Sequence, residues 1–410
     1  MRKGAWNTFH PVVKLMLIGS FLTNVGNGMI VPYFAIYLGK HTNLTISQIG
    51  FIIGASSLAS MFGGFLGGTL SDLIGRRKVM ISSLFFSAFI LLGFTLHSFP
   101  ILLMVLTITK GFTLSFFDPC SKALIGDLTE SEKRLKVFSL KYFCGNLGFA
   151  VGPIIGTILG LHTTSTVPFY IAFVIFLTYS LLLNMLLIKY KDNKKSEHIK
   201  KISMKDSIKV IARDKVLFLF LLGGLLATTV HGQFSVTLSQ YFYVDFKNGL
   251  KFLGILWSSH SLVIIVLSIP ISRYTEKRTP LHSIAIGTIL FAAGIICFWL
   301  SFNFLTFLLS MIVFTIGEIF LIPAEYAIID EITPDYIRGS YYGAVSFTTL
   351  GSFIGPGLSG FLLSVFNSHI MFLFLTVISI VSIVFYFLGN RLKVKKSEEN
   401  CNIFFNSNPR

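Results

Sequence analysis

Charge is what this chain has least of. Only 13% of its 410 residues are Asp, Glu, Lys or Arg, where a soluble domain carries roughly 25%. That scarcity excludes a separate soluble domain hidden among the apolar runs. Cysteine is also sparse: Cys120, Cys144, Cys297 and Cys401 lie far apart, three of them inside apolar stretches. They follow neither a zinc spacing nor a disulfide framework and read as small core residues, so no metal site is expected. No Gly-x-x-x-x-Gly-Lys-Ser/Thr run is present, which argues against ATP as an energy source. No catalytic constellation appears either, so the chain is not expected to be an enzyme or to need a cofactor. No cleavage site follows the first apolar run, which is therefore expected to be a span and not a removed signal peptide.

What is abundant is apolar and aromatic: 53% of residues are hydrophobic and 43 are Phe. A helix needs about 20 apolar residues to cross a bilayer. Runs of that length fall near 13–38, 47–71, 79–97, 100–126, 137–160 and 167–188, and again near 216–243, 251–272, 281–301, 303–329, 341–365 and 369–390. Twelve spans are expected, joined by short loops and one longer linker.

Most of the cations behind the formal net charge of +16 fall in the gaps between these runs, which argues against nucleic-acid binding. Ten Lys or Arg lie between Lys189 and Lys215, three at Arg76, Arg77 and Lys78, and three at Arg273, Lys277 and Arg278. The opposite side carries only Lys40, Lys247 and Lys251. By the positive-inside rule both termini are expected in the cytoplasm; the chain is expected to be an integral, multi-pass protein of the plasma membrane. The expected division is 1–189 and 216–392 for two halves, 190–215 for a basic cytoplasmic linker, and 393–410 for a cytoplasmic tail. Within the linker, Met204 to Ile211 reads equally as a surface helix at the membrane edge or as part of a solvated tether.

The most informative stretch runs from Gly63 to Lys78, Gly-Gly-Phe-Leu-Gly-Gly-Thr-Leu-Ser-Asp-Leu-Ile-Gly-Arg-Arg-Lys. A glycine-rich apolar segment without charge ends at Asp72, three consecutive cations follow Gly75, and a second apolar run begins. A basic loop at a membrane edge explains the cations but not the spacing of Gly68, Asp72, Gly75, Arg76 and Arg77. That spacing resembles the loop signature between the second and third spans of the major facilitator superfamily. A repeat supports the likeness. Pro119 to Arg134 lines up with Pro323 to Arg338, and Gly148 to Gly156 with Gly351 to Gly360. The offset of about six helices makes the halves run the same way. The resemblance implies an all-α membrane protein, with twelve transmembrane helices in two parallel six-helix pseudo-repeats and a binding site at their interface. Arg273 occupies the place of Asp72 in the second half, so only the first keeps the full signature.

Gly148, Gly152 and Gly156 lie four apart on one face of the fifth span, with Pro153 among them. Spacing alone is equally that of ordinary helix packing. The stretch is similar to the span-five motif of the superfamily's antiporters, with Thr157 in place of the usual last glycine.

Ionisable residues inside spans are costly, about 2.5–3.5 kcal/mol each at a helix centre on insertion scales. Of the 18 acids, Asp118, Glu318 and Glu325 sit well inside apolar runs, and Lys110, Lys122 and Lys141 are the comparable cations. Asp118 and Lys122 are neighbours at i,i+4 and read as a structural pair. Glu325, late in its run, is expected near the headgroups. In this superfamily spans one, four, seven and ten line the cavity. The resemblance therefore places Lys110 and Glu318 opposite each other, with Asn24, Asn27, Tyr33, His231 and Gln233 around them. It assigns proton coupling to Glu318, Lys110 and Asp118. A Glu–Lys bridge that merely holds the halves together stays open, as does a core role for His231.

The implied function is proton-driven export of lipophilic, cationic drugs or toxic compounds by rocker-switch alternating access. The expected partners are a small-molecule substrate, protons and the lipid bilayer, with the chain acting as a monomer. The alternative is a proton-coupled carrier of an anionic metabolite or peptide, with Lys110 gripping the carboxylate. A non-transporting receptor or scaffold is a further reading.

Overall fold

A computed structural model of the chain describes residues 9–41, 46–96, 99–159, 165–190, 204–232 and 249–406. Every regular element among them is helical. In chain order they are α1 (Pro11–His41), α2 (Ile46–Ile74), α3 (Arg76–Gly93), α4 (Pro100–Leu114), α5 (Phe117–Leu128), α6 (Ser131–Leu159), α7 (Val167–Lys189), α8 (Met204–Arg213), α9 (Lys215–His231), α10 (Gly249–Thr275), α11 (Pro280–Trp299), α12 (Phe304–Ile332), α13 (Arg338–Val345), α14 (Leu350–Val365) and α15 (Ser368–Asn406). With α4–α5 and α13–α14 each counted as one broken crossing, they supply twelve spans in two parallel six-helix pseudo-repeats, with α8 between.

Helices form because only intrachain hydrogen bonds satisfy a backbone in hydrocarbon. Seven helical segments among the described residues are long and apolar enough to cross a membrane by composition alone. The 29 residues of α12 extend about 43 Å at 1.5 Å per residue, more than the hydrocarbon core, so α12 tilts or protrudes. Phe86, Ile101, Ile154 and Leu305 point outward with more than half their surface exposed. Such a display is costly in water and natural in lipid.

Two devices shape the end of the bundle that carries the α2–α3 turn. Gly75 has φ 96°, a left-handed backbone that ends α2 and lets α3 start at the next residue. Asp214 caps α9 by accepting from the backbone N–H groups of Val216 (2.9 Å) and Leu217 (3.3 Å), and its other oxygen accepts from the Tyr341 hydroxyl of α13 (2.6 Å). Met204–Arg213 of the linker is helical, with Ser207 turned inward against the bundle and Lys205, Asp206, Lys209 and Arg213 outward.

Within each half, α1 packs on α6, α3 on α7, α11 on α12 and α9 on α15. Gly148, Gly152 and Gly156 of α6 all face α1. A Cβ on them would lie 2.3 Å from the Phe21 carbonyl oxygen, 2.7 Å from that of Val25 and 2.5 Å from that of Met29. These glycines let two backbones of the same half touch, and Pro153 lies in the same seam, 3.1 Å from where a Cβ on Gly28 would stand. The halves meet where α2 and α5 pack on α13, and where α6 packs on α10 and α12.

Candidate functional site

Three helices of the second half and one of the first converge on Glu318, halfway along α12 and only 3% exposed. Its Oε1 accepts from the Tyr142 hydroxyl of α6 at 2.7 Å and faces His231 Nε2, at the end of α9, at 3.2 Å. Its Oε2 faces His260 Nε2 of α10 at 2.8 Å. A carboxylate cannot remain buried without such partners, and three side chains supply them, His231 and His260 from its own half and Tyr142 from across the interface between the halves. The Trp257 ring meets the His260 ring edge-on, with centroids 5.6 Å apart, which fixes the imidazole.

The expected partner is not there. Lys110 lies beside Phe34 of α1, its Nζ 6.0 Å from the ring centroid, and is not among the groups bonded to Glu318. The fourth span breaks at Ser115 and Phe116, so α4 carries Lys110 apart from α5, and imidazole and phenol donors already occupy both carboxylate oxygens. His260 and Tyr142 escaped the sequence reading. His260 was detectable, being an ionisable residue inside an apolar run; nothing local marks Tyr142.

Asp118 stands elsewhere, in α5, bridged by Lys122 Nζ at 2.6 Å and by Lys141 Nζ of α6 at 2.7 Å. The Lys122 ammonium also sits 3.7 Å over the Tyr326 ring. Asp118, Lys122, His231 and Glu325 share a cavity of about 230 Å³ between the halves. Glu325, expected near the headgroups from its place in the sequence, is set by the fold against α15. It lines this cavity and accepts from the Tyr386 hydroxyl of α15. Asn24 spends its amide on the Ser20 carbonyl of its own helix at 2.7 Å, and Asn27 is half-buried on α1. Gln233 and the Tyr33 side chain lie outside the described residues.

A second constellation joins the halves at the α2–α3 end. Gly68 meets α13 backbone to backbone; a Cβ there would stand 2.1 Å from the Gly339 carbonyl oxygen. That approach delivers Asp72 onto the start of α13. Its carboxylate accepts from the N–H of Gly339 (2.9 Å), the N–H of Ser340 (2.6 Å) and the Ser340 hydroxyl (2.7 Å). Free N–H groups at a helix start are suited to an anion.

Arg76 bridges Asp72 at 3.9 Å and contacts Asp127, and Arg77 donates to the Asn184 side chain at 3.0 Å. The two arginines that correspond by the repeat exchange partners across the interface. Arg134 of the first half binds Asp330 of the second (2.5 Å), and Arg338 of the second binds Asp127 of the first (2.8 Å). On the other flank, Lys136 bridges Glu276 at 3.0 Å.

The Major Facilitator Superfamily model matches residues 16–349 and, in a second match, 225–402. The MFS-type transporter YqjV of Bacillus subtilis (strain 168) is 30% identical over 365 residues, covering 88% of this chain and 89% of the relative. A Na(+), Li(+), K(+)/H(+) antiporter of Planococcus maritimus is 25% identical, with 84% and 88% covered. The quinolone resistance protein NorA of Staphylococcus aureus (strain COL) is 24% identical, with 95% and 99% covered. Among solved structures, a bacterial homologue of the iron transporter ferroportin in an outward-facing state superposes with TM-score 0.76 at 15% identity, covering 95% of this chain and all (100%) of that one.

Proposed function

The chain belongs to the major facilitator superfamily and is a multi-pass secondary transporter of small molecules, not an enzyme; from that premise we propose that it exchanges protons for lipophilic or cationic compounds, exporting them, with Glu318 as the exchange carboxyl. The observation that carries this reading is the cluster itself: one buried carboxylate, held by two imidazoles of its own half and by the Tyr142 phenol of the other.

The halves, 1–189 and 216–392, rock about their interface, with the basic linker and tail on the cytoplasmic face where the cations gather. Rocking changes the distance from Tyr142 to Glu318 while leaving the α9, α10 and α12 partners together. A carboxyl's hold on its proton depends on its hydrogen-bond partners and on desolvation. Its proton affinity then differs between the two faces, and differential affinity is what drives a two-state cycle. A cationic substrate competes with the proton for the same oxygens. Cation/proton antiport and quinolone resistance among the relatives support this reading. Lys110, beside Phe34 and apart from the cluster, lends no support to an anion carrier.

Glu318→Gln keeps size and hydrogen bonding but cannot release a proton. In energised vesicles the variant is expected to lose uphill, proton-driven export of a lipophilic cation and to retain part of its downhill exchange. Uphill pumping that survives the substitution and still collapses with an uncoupler would make Glu318 a structural residue.

A further inference from the structure

The cysteines carry no metal pattern, yet the bundle assembles one without them. One ring nitrogen of His231, one of His260 and a carboxylate oxygen of Glu318 all lie within 4.8 Å of one another. We propose that these three residues form a binding site for a divalent transition-metal ion of borderline softness, such as Zn²⁺ or Co²⁺, and that the ion and the exchanged proton compete for it. The competition rests on Glu318 as the exchange carboxyl; the binding does not.

Two imidazoles and one carboxylate are a donor set that Zn²⁺ takes when a fourth position stays open. Ligand atoms about 2.0–2.2 Å from a tetrahedral ion stand roughly 3.3–3.5 Å from each other. The nitrogen-to-oxygen separations here are 3.2 Å for His231 and 2.8 Å for His260. An ion therefore enters by replacing N–H···O contacts with N–metal–O contacts. Each imidazole must then offer a lone pair, and any ring that enters protonated gives up its proton.

The surroundings are those of a supported site. Tyr142 donates to Glu318 Oε1 and orients the carboxylate, as the outer partners of metal ligands do. The Trp257 edge holds the His260 ring. An entry path exists: the His231 side chain is 42% exposed and lines the 230 Å³ cavity, whose acids are Asp118 and Glu325. Asp118 is already bridged by two lysines and Glu325 is bonded to Tyr386, so the cluster at Glu318 is the place for the ion. All three ligands belong to one half, so the site survives rocking, whereas the Tyr142 contact does not.

The test titrates the full-length protein in detergent with Co²⁺, reading its visible ligand-field bands and, by equilibrium dialysis, the stoichiometry. One ion per chain is expected, displaced by Zn²⁺ and not by Mg²⁺, with affinity lowered about tenfold or more in His260→Ala and in Glu318→Gln. His260→Cys guards against a variant that fails to fold. It keeps a ligand, so binding persists and a sulfur-to-cobalt charge-transfer band appears in the near ultraviolet. Absence of saturable Co²⁺ binding to the wild type overturns the site, as does unchanged binding in both His260→Ala and Glu318→Gln. A folded His260→Cys protein that binds Co²⁺ without the new band overturns it too. Transport of a lipophilic cation in chelator-treated vesicles tests the exchange reading separately. Zn²⁺ inhibition that chelation reverses supports competition, whereas transport indifferent to Zn²⁺ overturns the competition and leaves the metal site standing.

Discussion

At the α2–α3 end of the bundle, Asp72, Asp127 and Asp330 meet Arg76, Arg134 and Arg338. In the middle, Glu318 meets two imidazoles and a phenol. Both constellations join the two halves, and both bury carboxylates, but their donors differ in kind. Guanidinium stays charged at any working pH, so the arginine latch opens only when the halves move. Imidazole changes charge near neutrality, so the Glu318 cluster can answer to protons. The latch also uses backbone N–H groups, which hold position without titrating. We propose that one region serves the conformational cycle and the other serves exchange.

Substitutions in each region sharpen that contrast. The largest effect is expected from Asp72→Asn. The amide keeps the shape, but its nitrogen cannot accept, so at least one bond to Gly339 or Ser340 is lost and the rest lose their charge. Bonds to charged groups contribute about 1.5–3 kcal/mol against about 0.5–1.5 for neutral ones. Turnover should fall about tenfold or more while substrate affinity, measured by equilibrium binding in detergent, stays within about twofold. Lost affinity with intact turnover would break the division of labour.

Tyr142→Phe removes the one bond to Glu318 that comes from the other half among the described residues. The loss of about 1–1.5 kcal/mol corresponds to a fivefold to tenfold decrease in proton-driven export, together with a shifted pH of half-maximal transport. A pH profile identical to wild type would remove Tyr142 from the exchange step.

The smallest effect belongs to Lys110→Gln. Lys110 faces an aromatic ring and not the cluster, and a cation–π contact is worth about 1 kcal/mol. Export of a cation should change by about twofold at most. Abolished transport, with binding of anions lost, would instead favour the anion-carrier reading.

Span positions, the α2–α3 turn and the burial of a carboxyl at Glu318 were all legible in the residues. Each rests on a local cost: apolar runs long enough for a bilayer, a glycine at a left-handed turn, a carboxyl where carboxyls are expensive. The pairing of Asp118 with Lys122 was legible for the same reason, since i,i+4 neighbours share a helix face. Lys141, which completes that bridge, was seen only as a cation without a partner.

The partners of Glu318 were beyond local reading. Tyr142 lies 176 residues away in sequence and His260 lies 58 away. Whether they reach one carboxylate depends on how four helices are rotated about their axes. Hydropathy is nearly blind to that rotation, because lipid and protein interior are both apolar and neither side of such a helix is marked by polarity. Close glycine contacts set it instead, backbone against backbone, as at Gly68 with Gly339 and Gly152 with Gly28. The residues alone determined which groups could not remain unpartnered in the membrane; only the packing of the two halves decided that imidazole and phenol, not the ammonium of Lys110, would partner Glu318.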